Sequence, residues 1–193
     1  MSRHKIPIED LPHTGRKPPA PVCIVLGEDN QLDVDRWLRI LPGKRYVGRA
    51  IWKGRQVLVK LFVGPKATKM ATAERDGIKK LCEATLPTPE LLDVRIQKEA
   101  AWAITAFFPQ ARSLSEVAEL SVEGYSRLPF CPSALLEATK IIAAMHNARL
   151  IQQDIHPNNL LYNEGQCLLV DAAEVQSIDQ SKSFDQSTHN LGK

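Results

Sequence analysis

Apolar positions along the chain come first in short runs and then in helical stripes. Three runs, Trp37 to Leu41, Tyr46 to Trp52 and Val57 to Phe62, are separated by Pro42-Gly43-Lys44 and Lys53-Gly54. Runs of that length bounded by glycine turns predict three strands. After Gly64-Pro65 the period changes. Met70, Glu74, Ile78 and Leu81 fall on one face of a helix predicted over Lys66 to Glu83. Leu86-Pro87-Thr88-Pro89 breaks the chain, and Leu91 to Val94 and Ala100 to Phe107 predict two more strands. Phe107-Phe108-Pro109 then reads as a connector. Ser113 to Leu120 predicts a short helix, with Ser115-Glu116 as favourable first-turn residues. Pro132 to Ala148 predicts an amphipathic helix whose face is Leu135, Thr139, Ile142 and Met145, broadened by Leu136 and Ile141. Leu160 to Tyr162 and Cys167 to Val170, around Asn163-Glu164-Gly165-Gln166, predict a hairpin with a four-residue loop.

Composition changes the picture at the N-terminus. Residues 1–30 are rich in proline and charge, centred on Arg16-Lys17-Pro18-Pro19-Ala20-Pro21. They read as a mobile or extended arm, with Val22 to Leu26 able to add an edge strand. The arm's cations suit an anionic surface, and a solvated leader explains them equally well. The expected organisation is therefore a flexible arm over 1–30, a strand-rich region with its connector over 31–109, and a helical region with the hairpin over 110–193. The chain has 193 residues, 44% apolar and 24% charged, with net charge +3. That charge is too mild to argue for a nucleic-acid partner. The four cysteines are scattered without metal-ligand spacing, as in a reduced cytosolic protein. No apolar run approaches the roughly 18 residues of a membrane span.

Two charged residues stand in apolar surroundings. Lys60 interrupts the strand Val57 to Phe62, and Glu74 lies in the apolar stripe of the helix. A charge in such a place needs a partner, so a Lys60–Glu74 pair is expected to join strand to helix. A second constellation surrounds the hairpin. Asp154 and Asn159 precede its first strand and Asp171 follows its second. A hairpin brings its outer ends together, so Asn159 and Asp171 can offer hard oxygen ligands to Mg²⁺. Asp154 can then face a substrate hydroxyl. The plainer alternative is a polar turn with solvated side chains.

These residues carry a resemblance. Met145-His146, Ile151-Gln152-Gln153-Asp154-Ile155-His156-Pro157-Asn158-Asn159-Leu160-Leu161 and Asp171 resemble the helix end, catalytic loop and metal-binding position of kinase-like phosphotransferases. Lys60, Glu74 and the Phe107 to Pro109 connector fall in the matching order. The His156-Pro157 variant looks like the small-molecule branch. Arg49 to Gly54 leading into Val57-Leu58-Val59-Lys60 is similar to bacterial lipopolysaccharide core kinases, the Kdo and heptose kinase family with its toluene-tolerance relatives. The resemblance covers about residues 35–193. Three departures stand out. The glycine-rich loop is reduced to Gly43 and Gly48. Gln152 takes the place of a structural histidine. Ala172-Ala173 follows the metal aspartate. Only 22 residues follow Asp171, which abbreviates the usual helical lobe. Thr188 to Lys193 reads as the start of a helix.

The resemblance implies an α+β, protein-kinase-like fold of two lobes. The first is a five-stranded sheet with one helix; the second is short and reads as minimal or truncated. It implies ATP between the lobes, with Lys60 held by Glu74 against the phosphates. Gly43 would cover the nucleotide, and backbone at Phe107 and Phe108 would meet adenine. Mg²⁺ would sit on Asn159 and Asp171, with Asp154 as catalytic base. The implied acceptor is a sugar hydroxyl of the lipopolysaccharide core at the cytoplasmic face of the inner membrane. His146 is expected to be structural. Two other readings remain: a pseudokinase-like nucleotide-binding or scaffold protein, and an atypical protein or small-molecule kinase.

Overall fold

The computed structural model describes residues 4–27, 30–97, 99–122 and 132–178. It is a mixed α+β structure dominated by strands. Residues 1–75 and 90–107 form one compact unit; residues 76–89 and 108–193 form a second. The sequence-based boundary at residue 110 thus differs from the structure. The division falls between Phe107 and Phe108, and the segment Asp76–Pro89 belongs with the later part of the chain.

The first unit is built on a seven-stranded sheet. Its strands are β1 (Lys5–Pro7), β2 (Val22–Gly27), β3 (Asn30–Leu41), β4 (Arg45–Trp52), β5 (Arg55–Val63), β6 (Leu91–Ile96) and β7 (Ala100–Ala106). They lie in the order β1-β2-β3-β4-β5-β7-β6, antiparallel except for the β1–β2 pair. Five of these strands match the five expected from the pattern. The strand allowed for over Val22 to Leu26 is β2, lying inside the edge and not at it, and β1 adds a seventh, so the supposed arm is part of the sheet.

Ile6, Ile8, Leu11, Val22 and Ile24 are all buried, and a 3₁₀ helix over Ile8–Thr14 lies on the sheet. Central strands β5 and β7 are buried on both faces. Val57, Val59, Leu61 and Val63 join Trp102 and Ile104 in one core, to which Ile8 and Leu11 also belong. Phe62, Ala101 and Ala103 pack on the opposite face against Ala67 and Ala71 of helix α1 (Ala67–Glu83). Double-sided burial explains why β5 reads as a continuous apolar run. It also explains the N-terminal segment, since one of those faces needs cover that α1 does not give. Tyr46 fixes the segment, its buried Oη donating to the Leu11 carbonyl at 3.0 Å.

The second unit contains β8 (Arg112–Ser113), α2 (Leu114–Val122), α3 (Pro132–Asn147), β9 (Leu150–Gln152), β10 (Leu160–Asn163), β11 (Gln166–Leu169) and β12 (Val175–Ser177). β10 is central to a β11-β10-β8 sheet, and β9 pairs with β12. Ser113 caps α2, and Ser115 and Glu116 fall in its first turn as expected. Ser113 N–H donates to Glu116 Oε2 at 2.7 Å, and Glu116 N–H donates to Ser113 Oγ at 3.2 Å, a reciprocal capping box. The buried face of α3 is Ala134, Ala138, Ile141 and Met145, while Leu135 and Leu136 are exposed. The expected leucine face is thus rotated; small alanines let the helix approach its neighbours closely. The hairpin turn is two residues long, since Asn163 pairs with Gln166. Glu164 and Gly165 both have positive φ, 48° and 87°, the twist that tight hairpins require.

Cys23, Cys82 and Cys167 carry free thiols. Burial, with Glu137 nearby, pushes the Cys167 thiol up to about 11, so it stays protonated. Among the described residues no helix is long and apolar enough to cross a membrane. The helix read at Thr188 to Lys193 lies outside the described residues.

Leu11 distinguishes an integral segment from an arm. Leu11→Ala is expected to lower unfolding free energy by about 2–4 kcal/mol in chemical denaturation. A change below about 0.5 kcal/mol is the result expected of a solvated arm.

Candidate functional site

Alternation along β5 sends Lys60 to the α1 side of the sheet, opposite the core of Val59 and Leu61. There it meets α1. Lys60 Nζ donates to Glu74 Oε1 at 2.7 Å, with the residues only 7% and 2% exposed. The expected pairing is therefore present. Glu74 Oε2 is also buried and has no hydrogen-bond partner among the described residues. A buried pair of this kind gives little net stability relative to apolar side chains of the same volume. The second carboxylate oxygen, left without a bond, adds an unfavourable term.

In the second unit, the hairpin organises the oxygen-bearing residues. His156 caps the 3₁₀ turn Pro157–Asn159 by accepting the Asn158 N–H at Nδ1. The Asn159 side chain folds back, its Nδ2 donating to the Asp154 carbonyl at 2.9 Å. That bond uses the amide nitrogen and leaves Oδ1 as the remaining acceptor. The Asn159 carbonyl accepts the Val170 N–H at 2.9 Å, which places Asp171, the next residue, at the same end of the hairpin. The Asp154 side chain is exposed.

Asp171 has φ 61° and ψ 59°, left-handed backbone for a residue that is not glycine. Such a conformation costs of order 1–3 kcal/mol and persists only when its surroundings enforce it. Two neighbours do so. Gln152, fully buried, donates Nε2 to the Asp171 carbonyl at 2.8 Å. Gly77 of α1 lies so near that a Cβ there would stand 1.8 Å from the Ala172 carbonyl oxygen. Behind Asp171, β12 pairs with β9 so that Val175 faces Gln152, and Lys80 Nζ donates to the Val175 carbonyl at 3.2 Å. The sequence reading did not place Gln152 or Gly77 as supports of the Asp171 backbone. Gln152 was visible only as a departure from the resemblance, and a glycine within the apolar stripe of a helix was the available signal for Gly77.

Gly43 does not offer its backbone as expected. With φ 67° it makes the tight turn between β3 and β4, and its N–H is donated to Tyr46 Oη at 3.3 Å. The group that would cradle a phosphate is thus already engaged, and Gly43 is a turn residue. Phe107 belongs to the first unit, its ring centroid 6.0 Å from Arg49 Cζ. Phe108 belongs to the second, and its carbonyl accepts the Ala111 N–H at 3.2 Å. Among the described residues no group of three or more His, Cys, Asp or Glu side chains could hold a metal. Among the described residues, that end of the hairpin brings together one carboxylate residue, Asp171, and one amide residue, Asn159.

A scan against protein-family models matched none, and a search of curated proteins likewise gave no match.

Gly77→Ala separates close packing from helix propensity. Alanine in an unconstrained helix interior gains about 1 kcal/mol over glycine. Contact with the Ala172 carbonyl should reverse that sign, giving net destabilisation of about 1–3 kcal/mol in denaturant melts. Stabilisation by the alanine would show that α1 does not press on the segment after Asp171.

Proposed function

We propose that this chain is an ATP- and Mg²⁺-dependent phosphotransferase of the protein-kinase-like fold, acting on a hydroxyl. The observation that carries this reading is the buried Lys60–Glu74 pair. Stability alone gives little reason to keep two charges in that place, whereas a lysine fixed by a carboxylate is a prepared contact for nucleotide phosphates. The hairpin supports the reading from a second direction. Asn159 Oδ1 and the Asp171 carboxylate are hard oxygen donors, and Mg²⁺ takes only one or two carboxylates from a protein when phosphate and water complete its shell. The strained Asp171 backbone, held by Gln152 and Gly77, is what a fixed metal ligand requires.

Within this reading each residue has one task. Lys60 neutralises charge on the phosphates, and Glu74 holds Lys60. Asn159 and Asp171 hold the metal, which offsets charge on the phosphoryl group being transferred. Asp154, exposed and five residues before Asn159, orients the acceptor hydroxyl and takes its proton. Most of the rate gain comes from positioning and charge neutralisation. The acceptor is a sugar hydroxyl of the lipopolysaccharide core, a choice that rests on the resemblance to Kdo and heptose kinases. It brings the protein to the cytoplasmic membrane face, where its N-terminal cations suit an anionic surface. One observation favours a second reading, a nucleotide-binding protein without transfer: the Gly43 N–H is committed to Tyr46 and cannot cover a phosphate.

The test is nucleotide binding followed by turnover on a panel of core oligosaccharide, simple sugars and generic protein substrates. At about 100-fold saturation, ATP–Mg²⁺ is expected to raise Tm by roughly 5–10 °C. Asp154→Asn should keep that shift and reduce transfer about 10²–10⁴-fold. A shift with no turnover on any acceptor would favour the second reading. Wild-type turnover by Asp154→Asn would remove Asp154 from the mechanism.

A further inference from the structure

The turn between β3 and β4 has Pro42 and Gly43 at its centre. Across them the Lys44 N–H donates to the Leu41 carbonyl at 3.0 Å, and Gly43 has φ 67°. Proline at the second position, positive φ at the third and that closing bond define a type II turn. Types I and II differ by a flip of the central peptide, here Pro42–Gly43, and both keep the closing bond. The flip reverses the direction of one N–H, that of Gly43.

That N–H donates to Tyr46 Oη at 3.3 Å. Tyr46 is fully buried in the core that holds Val57, Val59 and Leu61. Lys60 alternates to the opposite face of the sheet. The turn nevertheless lies near Lys60 along the strand. Its Lys44 carbonyl accepts the Val63 N–H at 3.0 Å, and Arg45, the next residue, pairs with Phe62. Phe62 shares the face of Lys60 and stands two residues from it, about 7 Å along β5. As held by Tyr46, the Gly43 N–H points toward the core side. A peptide flip turns it to the side of Lys60. The holding bond is releasable, since 3.3 Å exceeds the about 2.9–3.0 Å common for N–H to oxygen. Glycine accepts both turn types without strain.

We propose that the Pro42–Gly43 peptide is a two-state switch with Tyr46 as its latch. Tyr46 holds the N–H toward the core, and phosphate oxygens anchored at Lys60 draw it out by flipping the peptide. The Leu11 carbonyl sets the latch by accepting the Tyr46 hydroxyl proton at 3.0 Å, which turns an oxygen lone pair to Gly43. The buried N-terminal segment is thereby coupled to the turn. This inference rests on the phosphotransferase reading. Tyr46 is a positioning residue and touches no reacting atom.

The experiment titrates the full chain and two variants calorimetrically with ATP–Mg²⁺, and melts each without it. Tyr46→Phe removes the latch, while the Leu11 carbonyl keeps its bond from Thr14 Oγ1 at 2.7 Å. Gly43→Ala acts on the backbone alone. A Cβ there meets nothing within 4 Å, but alanine disfavours the positive φ of the held turn. Both variants are expected to bind ATP–Mg²⁺ about threefold to tenfold more tightly, because the neutral bond to Tyr46 no longer competes. Both should melt about 2–4 °C lower. Affinity and stability thus move in opposite directions, which a purely structural tyrosine does not produce. Tyr46→Phe that melts lower and binds ATP–Mg²⁺ no more tightly would overturn the switch. Weaker binding by Gly43→Ala would overturn it too, since the held turn would then be the binding form. Should either variant fail to fold, wild type remains a test. Saturating ATP–Mg²⁺ should move the Gly43 amide proton resonance, and an unmoved resonance rules the flip out. If wild type binds ATP–Mg²⁺ and both variants match it, only the switch fails. If none of the three proteins binds, the phosphotransferase reading fails and the switch with it.

Discussion

A charge cannot be buried alone, and that constraint organises the first unit around Lys60 and Glu74. Lys60 projects from a strand packed on both faces, so water cannot reach its ammonium readily. Glu74 must come to it, which fixes the rotation of α1 over the sheet. Ala67 and Ala71, on the same helix, are small enough to let it lie close to Ala101 and Ala103. The other face of the sheet then needs its own cover, and Ile8 and Leu11 become core residues. Burying this pair thus ties together the strand, the helix and the order of packing around them. The pair costs desolvation and, among the described residues, leaves one carboxylate oxygen without a hydrogen bond, which is the ground for the proposed role as a ligand contact.

The second unit shows the same logic in backbone form. Asp171 holds a conformation that a non-glycine residue avoids, enforced by one side-chain amide and one close helix contact. Gln152 performs its bond without titrating, since an amide keeps one charge state over the working pH range. Gly77 acts through what it lacks, because any side chain there would press on the carbonyl of Ala172.

Much of this was legible in the sequence wherever burial forced a pattern. The alternation and glycine turns of Trp37 to Phe62 gave three strands, and the helical stripe through Met70, Glu74, Ile78 and Leu81 gave α1 and the partner of Lys60. That Asn159 and Asp171 lie at one end of the hairpin was legible because the hairpin between them is short and regular. The N-terminal segment was misread because its prolines and charges mask three buried residues, Ile6, Ile8 and Leu11, whose role depends on distant strands. The face of α3 was misread because Leu135 and Leu136 outweigh Ala134 and Ala138 on any hydrophobicity scale, yet close packing selects the smaller pair. The Gly43 turn was read correctly, and only the phosphate cover expected of its backbone was misjudged, for a related reason. Its N–H is taken by a tyrosine hydroxyl, a tertiary contact that local sequence does not encode.

The central claim is that Lys60 and Glu74 are retained for a ligand and not for stability. Replacing both at once, Lys60→Met with Glu74→Leu, removes the charges without leaving either one unpaired. Unfolding free energy and ATP–Mg²⁺ affinity should be measured on the same double variant. The account predicts stability within about 1 kcal/mol of wild type, or higher, together with loss of ATP–Mg²⁺ binding. A double variant that binds ATP–Mg²⁺ as wild type does would contradict it.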